Sequence, residues 1–164
     1  MFYKMKKPLL ALFTATLLTG QMASAQSCPD VCPAIGVSSA FEWIQGLQLG
    51  PLTNISGDNG GYADFTSMVT ELERNANHPI KMAPGFSNSV YKEAWKIWID
   101  FNRDFDFDDP GEEVFFASPT SDAVEGDIAI PFDAPLGLTR MRVSMKWNGN
   151  PSPCEFFEYG EVED

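Results

Sequence analysis

After residue 25 the chain is organised by alternation of apolar and polar residues, and helical periodicity is almost absent. The clearest run extends from Leu138 to Trp147, where the apolar residues share one face and polar residues share the other. Such alternation is typical of a strand with one buried face. Two further runs have the same pattern, one over Trp95–Phe101 and one that includes Ile128, Ile130 and Phe132.

Weaker strand candidates lie between turn signals rich in Gly, Pro and Asn, such as Asn148-Gly149-Asn150-Pro151. Together the pattern predicts an all-β fold, an antiparallel β-sandwich of about 7–8 short strands. Residues 26–40 are predicted to be a leader and residues 41–164 a single domain. The weaker candidates are Phe41–Leu49, Met68–Leu72, Ile80–Met82, Val114–Ala117 and Gly160–Glu163.

The first 25 residues have the features of a cleaved signal peptide. Three lysines precede a short apolar run over Leu9–Leu18, and Ala23-Ser24-Ala25 supplies a small-residue cleavage pattern. The apolar run is too short to span a bilayer comfortably. We therefore expect an exported protein, secreted or at the cell surface, whose mature chain does not insert into a membrane.

The chain is strongly acidic, with a net charge of −12 that becomes −15 once the signal peptide and its three lysines are removed. Such a charge disfavours nucleic acid and anionic membrane surfaces as partners. The sequence has one histidine, His78, and no H-E-x-x-H motif. Catalytic triads and zinc sites are therefore disfavoured, and we do not expect an enzyme.

Three cysteines remain after cleavage: Cys28, Cys32 and Cys154. In an oxidising compartment two of them should pair and one should be left over. The spacing allows Cys32–Cys154, which would tie the two ends of the domain together, or Cys28–Cys154. The remaining thiol, Cys28 in the first case, could pair with another molecule.

The most acidic segment, DFNRDFDFDDPGEE over residues 100–113, places seven carboxylates between two predicted strands. Its alternate polar residues have the spacing of a D-x-[DN]-x-D calcium loop. Because these ligands are all oxygens, the pattern favours calcium over zinc or copper. Phe105 stands where an EF-hand has Gly, so the segment is not an EF-hand, and a solvated acidic hairpin tip is the alternative. The predicted calcium ligands are Asp100, Asn102, Asp104, Asp106, Asp109 and Glu112.

Two long stretches carry a family resemblance: WKIWIDFNRDFDFDDPGEEVF in the middle of the chain and TRMRVSMKWNGNPSPCEFFEYGEVED at its end. Together they resemble the GEVED domain, a module of secreted bacterial proteins named for its closing motif, here residues 160–164. The segment from Ile55 to Thr66 and Ala83-Pro84-Gly85-Phe86 are also similar to the family pattern. The resemblance extends over about Phe41 to Asp164.

The resemblance implies a β-sandwich appended to exported proteases and adhesins, without catalysis of its own. It also implies that Cys32 pairs with Cys154. This chain departs from the family pattern at Phe105, where the family has Gly, and it ends at Asp164, where family members continue for a few residues.

The closing motif suggests ion pairs across two strands. Glu161 and Glu163 are spaced like Arg140 and Arg142, which lie on a strand that could pair with the motif. Two cross-strand pairs of opposite charge would contribute roughly 0.2–1 kcal/mol each. The alternative is that Glu161 or Asp164 reaches the calcium loop.

These features favour a non-catalytic, calcium-stabilised extracellular module that binds a surface, a glycan or a protein partner. The first alternative is a secreted structural or assembly protein linked through Cys28. The second is a glycosidase that uses two carboxylates, which the abundance of acidic residues allows without favouring.

Overall fold

The computed structural model describes residues 31–164, and all regular elements in this range are β-strands. The predicted signal peptide and Cys28 lie outside the described residues. Between residues 31 and 164 no helix is long and apolar enough to cross a membrane. The strands are β1 (Ile35–Ser38), β2 (Glu42–Leu49), β3 (Leu52–Asn54), β4 (Tyr62–Ala63), β5 (Ala76–Phe86), β6 (Glu93–Ile99), β7 (Glu113–Thr120), β8 (Val124–Ile130), β9 (Met141–Trp147) and β10 (Phe156–Glu163).

The strands form two sheets, which confirms the predicted all-β sandwich. One sheet has the order β1-β10-β9-β6-β7, with the short β4 also on β10, and the other has the order β3-β2-β5-β8. Most neighbours are antiparallel, but β1 and β4 both pair with β10 in parallel. The sandwich thus has ten described strands, and the prediction of a purely antiparallel fold was wrong at β10.

The core lies between the two sheets. It is built from alternate residues of the central strands, as the sequence pattern predicts, with Trp95 and Ile97 of β6 facing Ile44 and Leu47 of β2 in one cluster. The polar face of β9 departs from the prediction, because Arg142 and Ser144 are buried as well. A strand buried on both faces indicates that other segments cover the outside of this sheet.

Two predicted boundaries differ from the structure. Strand β1 lies within residues 26–40, which the sequence predicts to be a leader, and its backbone pairs with β10. The predicted strand Met68–Leu72 is instead a loop. This loop lines one side of a cavity of about 670 Å³ at one end of the sandwich.

A disulfide joins Cys32 to Cys154, the pairing that the resemblance implies, with the two Cα atoms 5.4 Å apart. The bond links the segment before β1 to the segment before β10, which are separated by 122 residues in the sequence. A closed loop of this length stabilises a fold by about 4–5 kcal/mol in the chain-entropy model.

The guanidinium group of Arg142 lies under these covering segments and binds several of them. Its Nε and Nη2 each donate to one carboxylate oxygen of Asp164, both at 2.5 Å. Its Nη1 donates to the backbone carbonyls of Cys32 and Pro153, both at 2.7 Å. One buried side chain thus connects β9, the end of β10 and the two segments that the disulfide joins.

Breaking the ion pair between Arg142 and Asp164 is expected to destabilise the protein by about 3–5 kcal/mol, because one buried charge loses its partner. We expect this loss for Arg142→Met and for Asp164→Asn in urea unfolding. The matched control is Lys81→Ala, which removes the solvent-exposed pair between Lys81 and Glu125 and should cost less than about 1 kcal/mol. Similar losses in all three variants would contradict a central role for Arg142.

Candidate functional site

The acidic loop connects β6 to β7, which are hydrogen-bonded neighbours. The backbone N–H of Ile99 donates to the carbonyl of Glu112 at 2.9 Å, which closes the base of the loop. Phe107 anchors its far side, since this ring is buried against Val31 and Trp98 and lies 5.1 Å from the guanidinium carbon of Arg142. The loop is therefore held at both its base and its tip.

Two of the six predicted metal ligands turn inward and hold the loop backbone. The buried carboxylate of Asp100 accepts the N–H groups of Arg103 at 2.6 Å and Phe105 at 3.2 Å. The buried carboxylate of Glu112 accepts the N–H of Phe101 at 2.9 Å. Burial raises the pKa of Glu112, and its Oε2 atom has no hydrogen-bond partner among residues 31–164.

The other four predicted ligands come together on the exposed side of the loop. Asp104, Asp106 and Asp109 each have a carboxylate oxygen within 4.8 Å of the others. The amide Nδ2 of Asn102 donates to Asp104 at 2.8 Å and to Asp109 at 2.5 Å. The structure thus brings together Asn102, Asp104, Asp106 and Asp109, and we call this group the carboxylate cluster.

Short side-chain turns set the direction of these groups. The side chains of Asn102, Asp104 and Asp106 each accept the N–H two residues further on, at 3.0, 3.3 and 2.9 Å. Such turns are a common local use of Asn and Asp. They explain why alternate polar residues, spaced as in the sequence pattern, point to the same side.

Phe105 adopts the left-handed backbone conformation that a Gly would adopt there, with φ of 75°. This conformation costs a residue with a Cβ atom roughly 1–2 kcal/mol. The loop therefore makes the tight turn although Phe105 stands where the family pattern has Gly. The cost of this backbone conformation lowers the stability of the folded state.

The closing motif has a different role from the predicted ladder of ion pairs. In the observed register Glu161 lies opposite Met145, and Glu163 lies opposite Val143. Both glutamates therefore face the interior, whereas Arg142 faces outward and pairs with Asp164. The predicted pairs of Arg140 and Arg142 with Glu161 and Glu163 do not occur among the salt bridges of the described residues.

Glu161 joins the two sheets of the sandwich. Its carboxylate accepts the backbone N–H of Ile44 on β2 at 2.8 Å and that of Asn59 at 2.7 Å. The register of β2 against β5 shifts at a bulge between Ile44 and Gly46, and bulges leave ladder groups unpaired. Glu161 thus supplies an acceptor where the strand pairing is irregular.

Glu163 makes a similar contact further along the strand. It accepts the hydroxyl of Ser56 at 2.5 Å, and burial raises its pKa to about 7. Gly160 has φ of 123°, and a Cβ atom there would collide with the carbonyl oxygen of Met145. The motif therefore fastens the last strand to its surroundings, and neither Glu161 nor Asp164 reaches the carboxylate cluster in the hydrogen bonds described.

Comparison with protein families identifies the segment that contains the acidic loop and the closing motif. The model of the GEVED domain matches residues 94–164, a range that includes β7 to β10, the acidic loop and the closing motif. Residues 94–164 belong to the GEVED domain family. The match confirms the resemblance for this range, while residues 41–93 lie outside it. No curated protein and no solved structure shows significant similarity to the chain.

One pair of buried carboxyl groups, outside the residues that match the GEVED domain, was not predicted. Glu42 of β2 and Glu93 of β6 are 2% and 0% exposed. Burial, with the nearby charge of Glu42 as a second cause, raises the pKa of Glu93 to about 8. Glu93 continues the inward-facing series Trp95, Ile97 and Ile99, so the period-two pattern could have placed it in the interior.

Replacing Phe105 tests the backbone strain in the GEVED domain loop. Phe105→Gly and Phe105→Ala both remove the ring, but only Gly adopts a positive φ without steric cost. We expect the Gly variant to be more stable than the Ala variant by about 1 kcal/mol in urea unfolding. An Ala variant at least as stable as the Gly variant would show that Phe105 is not strained.

Stability should fall as pH rises from about 5 to 8. In the unfolded state Glu93 loses its proton near the ordinary pKa of a glutamate, while in the folded state it keeps the proton up to about pH 8. Between these two pH values, each further unit of pH therefore lowers the free energy of unfolding. Glu93→Gln should remove the contribution of Glu93 to this pH dependence, which is roughly 3–5 kcal/mol at most. Glu163, with its pKa raised to about 7, contributes in the same direction.

The measurement is urea unfolding at pH 5 and pH 8, with Glu71→Gln as a control at an exposed position. The control should keep the pH dependence of the original chain. An unchanged pH dependence in Glu93→Gln would mean that Glu93 ionises in the folded protein as it does in water.

Proposed function

We propose that this protein is an exported, non-catalytic binding module whose acidic loop takes up Ca²⁺ and is stabilised by it. The observation that carries the proposal is the convergence of Asp104, Asp106 and Asp109 on one exposed spot, with oxygens within 4.8 Å of one another. Three like charges this close repel one another unless a cation lies between them. A divalent cation would neutralise this repulsion and link the three carboxylates to one another.

The donor set fits calcium. Ca²⁺ takes six to eight oxygen ligands in a flexible geometry, and the carboxylate cluster supplies carboxylates from three residues with room for water on its exposed side. The amide of Asn102 already contacts two of the carboxylates, and rotation of this amide would present its oxygen. Glu112, whose buried Oε2 has no hydrogen-bond partner among residues 31–164, lies at the base of the same loop.

A binding role is supported by the architecture. The disulfide and the buried Arg142 hold the covering segments on a rigid sandwich, which is a suitable scaffold for exposed loops outside the cell. The net charge of −12 favours an extracellular protein or glycan as partner over nucleic acid or an anionic membrane.

Calcium should raise the thermal unfolding midpoint of the purified protein. For a dissociation constant of about 10⁻⁴ M, 1 mM Ca²⁺ stabilises by roughly 1.4 kcal/mol relative to EDTA. In a domain of this size the shift is about 3–6 °C. Asp104→Ala and Asp106→Ala should abolish it, and 1 mM Mg²⁺ should have a smaller effect.

Asp122→Ala is the matched control, because this exposed aspartate lies in the turn between β7 and β8, outside the carboxylate cluster. It should respond to Ca²⁺ as the original chain does. A midpoint unchanged by Ca²⁺ up to 10 mM would contradict the proposal and leave the loop as a solvated acidic hairpin.

A further inference from the structure

Four aromatic side chains form a closed circuit at one end of the sandwich. The ring centroids of Phe41 and Tyr91 are 6.3 Å apart, and those of Tyr91 and Trp147 are also 6.3 Å apart. Trp147 lies 5.9 Å from Tyr159, which in turn lies 5.4 Å from Phe41. Neighbouring rings are inclined by 60–75°, so they stand edge to face around the circuit.

The circuit is assembled from both sheets and remains open to solvent. Phe41 lies immediately before β2 and Tyr91 two residues before β6, while Trp147 ends β9 and Tyr159 lies in β10. Phe41 is 42% exposed and Trp147 is 37% exposed. Rings that only closed the end of the core would be expected to be more deeply buried.

Two buried carboxylates lie beside the rings. Glu93 is the direct cross-strand partner of Trp147, and both of its carboxylate oxygens are buried without a hydrogen-bond partner in the described range. Glu42 follows Phe41 in the sequence, and its charge acts on both Glu93 and Tyr159. Ionising a buried carboxyl group that has no hydrogen-bond partner is costly, and a nearby cation would offset this cost.

The cations of this chain that stack on aromatic rings use other rings. Within residues 31–164, Lys96 lies over Trp98 and Phe116, Arg142 over Phe107, and Lys146 over Phe157. None of the described cation–π contacts involves the four rings of the circuit. The circuit is therefore available to a cation that comes from outside the chain.

We propose that Phe41, Tyr91, Trp147 and Tyr159 form an aromatic cage that binds an organic ammonium ion, with the buried carboxyl groups of Glu93 and Glu42 beside it. The ligand class is a quaternary or methylated ammonium group, free or on the side chain of a partner protein. This site goes beyond the proposed calcium function, because the cage and the acidic loop share no residue.

The size of the circuit suits this ligand class. A flat square with sides near 6 Å would have its centre about 4 Å from each corner, within the roughly 6 Å over which a ring attracts a cation. Methylated ammonium groups are weakly hydrated and are recognised by aromatic cages for this reason. A hydrated metal ion would gain less from such a site, since its preferred ligands are oxygens.

The test uses choline and its uncharged isostere 3,3-dimethyl-1-butanol, which has a carbon where choline has nitrogen. We expect calorimetry in the presence of EDTA to detect choline binding, with the isostere weaker by roughly tenfold or more. The addition of EDTA separates this test from the calcium proposal, so either proposal can fail alone.

Variants locate the site. Trp147→Ala and Tyr91→Ala should abolish choline binding, and Trp147→Phe, which keeps a smaller ring, should weaken it. At pH 9, where Glu93 is mostly ionised, Glu93→Gln should weaken choline binding but leave binding of the isostere unchanged, because only the charged ligand interacts with the carboxylate charge. The matched control is Phe156→Ala on β10, an exposed aromatic outside the circuit, which should bind as the original chain does.

Circular dichroism melting shows which variants fold, and Trp147→Phe keeps the test valid if an alanine variant does not. Three results would overturn the proposal: no heat of binding with choline up to about 50 mM, equal affinity for choline and its isostere, or unchanged affinity in the folded cage variants.

Discussion

The buried ion pair between Arg142 and Asp164 is the contact on which the outer layer of the structure depends. Arg142 lies on a strand that is covered on both faces, and its guanidinium binds the end of β10 and the two segments joined by the disulfide. It also lies 5.1 Å from the ring of Phe107, which anchors the acidic loop. Moving any of these segments away would leave a buried charge without its partners, which is strongly destabilising. The segments that cover Arg142 are therefore held together.

The closing motif of the GEVED domain is a set of contacts that fasten the last strand. Glu161 connects β10 to the irregular point of β2, Glu163 binds Ser56, and Asp164 neutralises Arg142. Two of the three acidic residues thus face the interior without a cationic partner in the salt bridges described, and their pKa values are raised by burial. Buried carboxyl groups are therefore a feature of this end of the sandwich, and the acidic loop is a separate, exposed feature.

Much of the fold could be predicted from alternation. The pattern over Trp95–Phe101 and Leu138–Trp147 predicted β6 and β9 and their core-facing residues, since side chains alternate between the two faces of a strand. The opposite face was expected to be exposed, but Trp98, Arg142 and Ser144 are buried there. Met68–Leu72 was wrong because an apolar run is also compatible with a loop that lines a cavity. The parallel pairing of β1 was not predicted, because four residues carry too little pattern and their partner lies more than a hundred residues away.

The sequence by itself determined the strand faces, the acidic composition of the loop and the turns that alternate Asn and Asp residues make, because these depend on neighbours within a few positions. Tertiary structure alone decided which charges meet. The register of β10 against β9 turned Glu161 and Glu163 inward and brought Asp164 to Arg142, and a shift of one residue would have exchanged these faces. In the same way, only the packing of the two sheets brought Phe41, Tyr91, Trp147 and Tyr159 from four separate segments into one circuit.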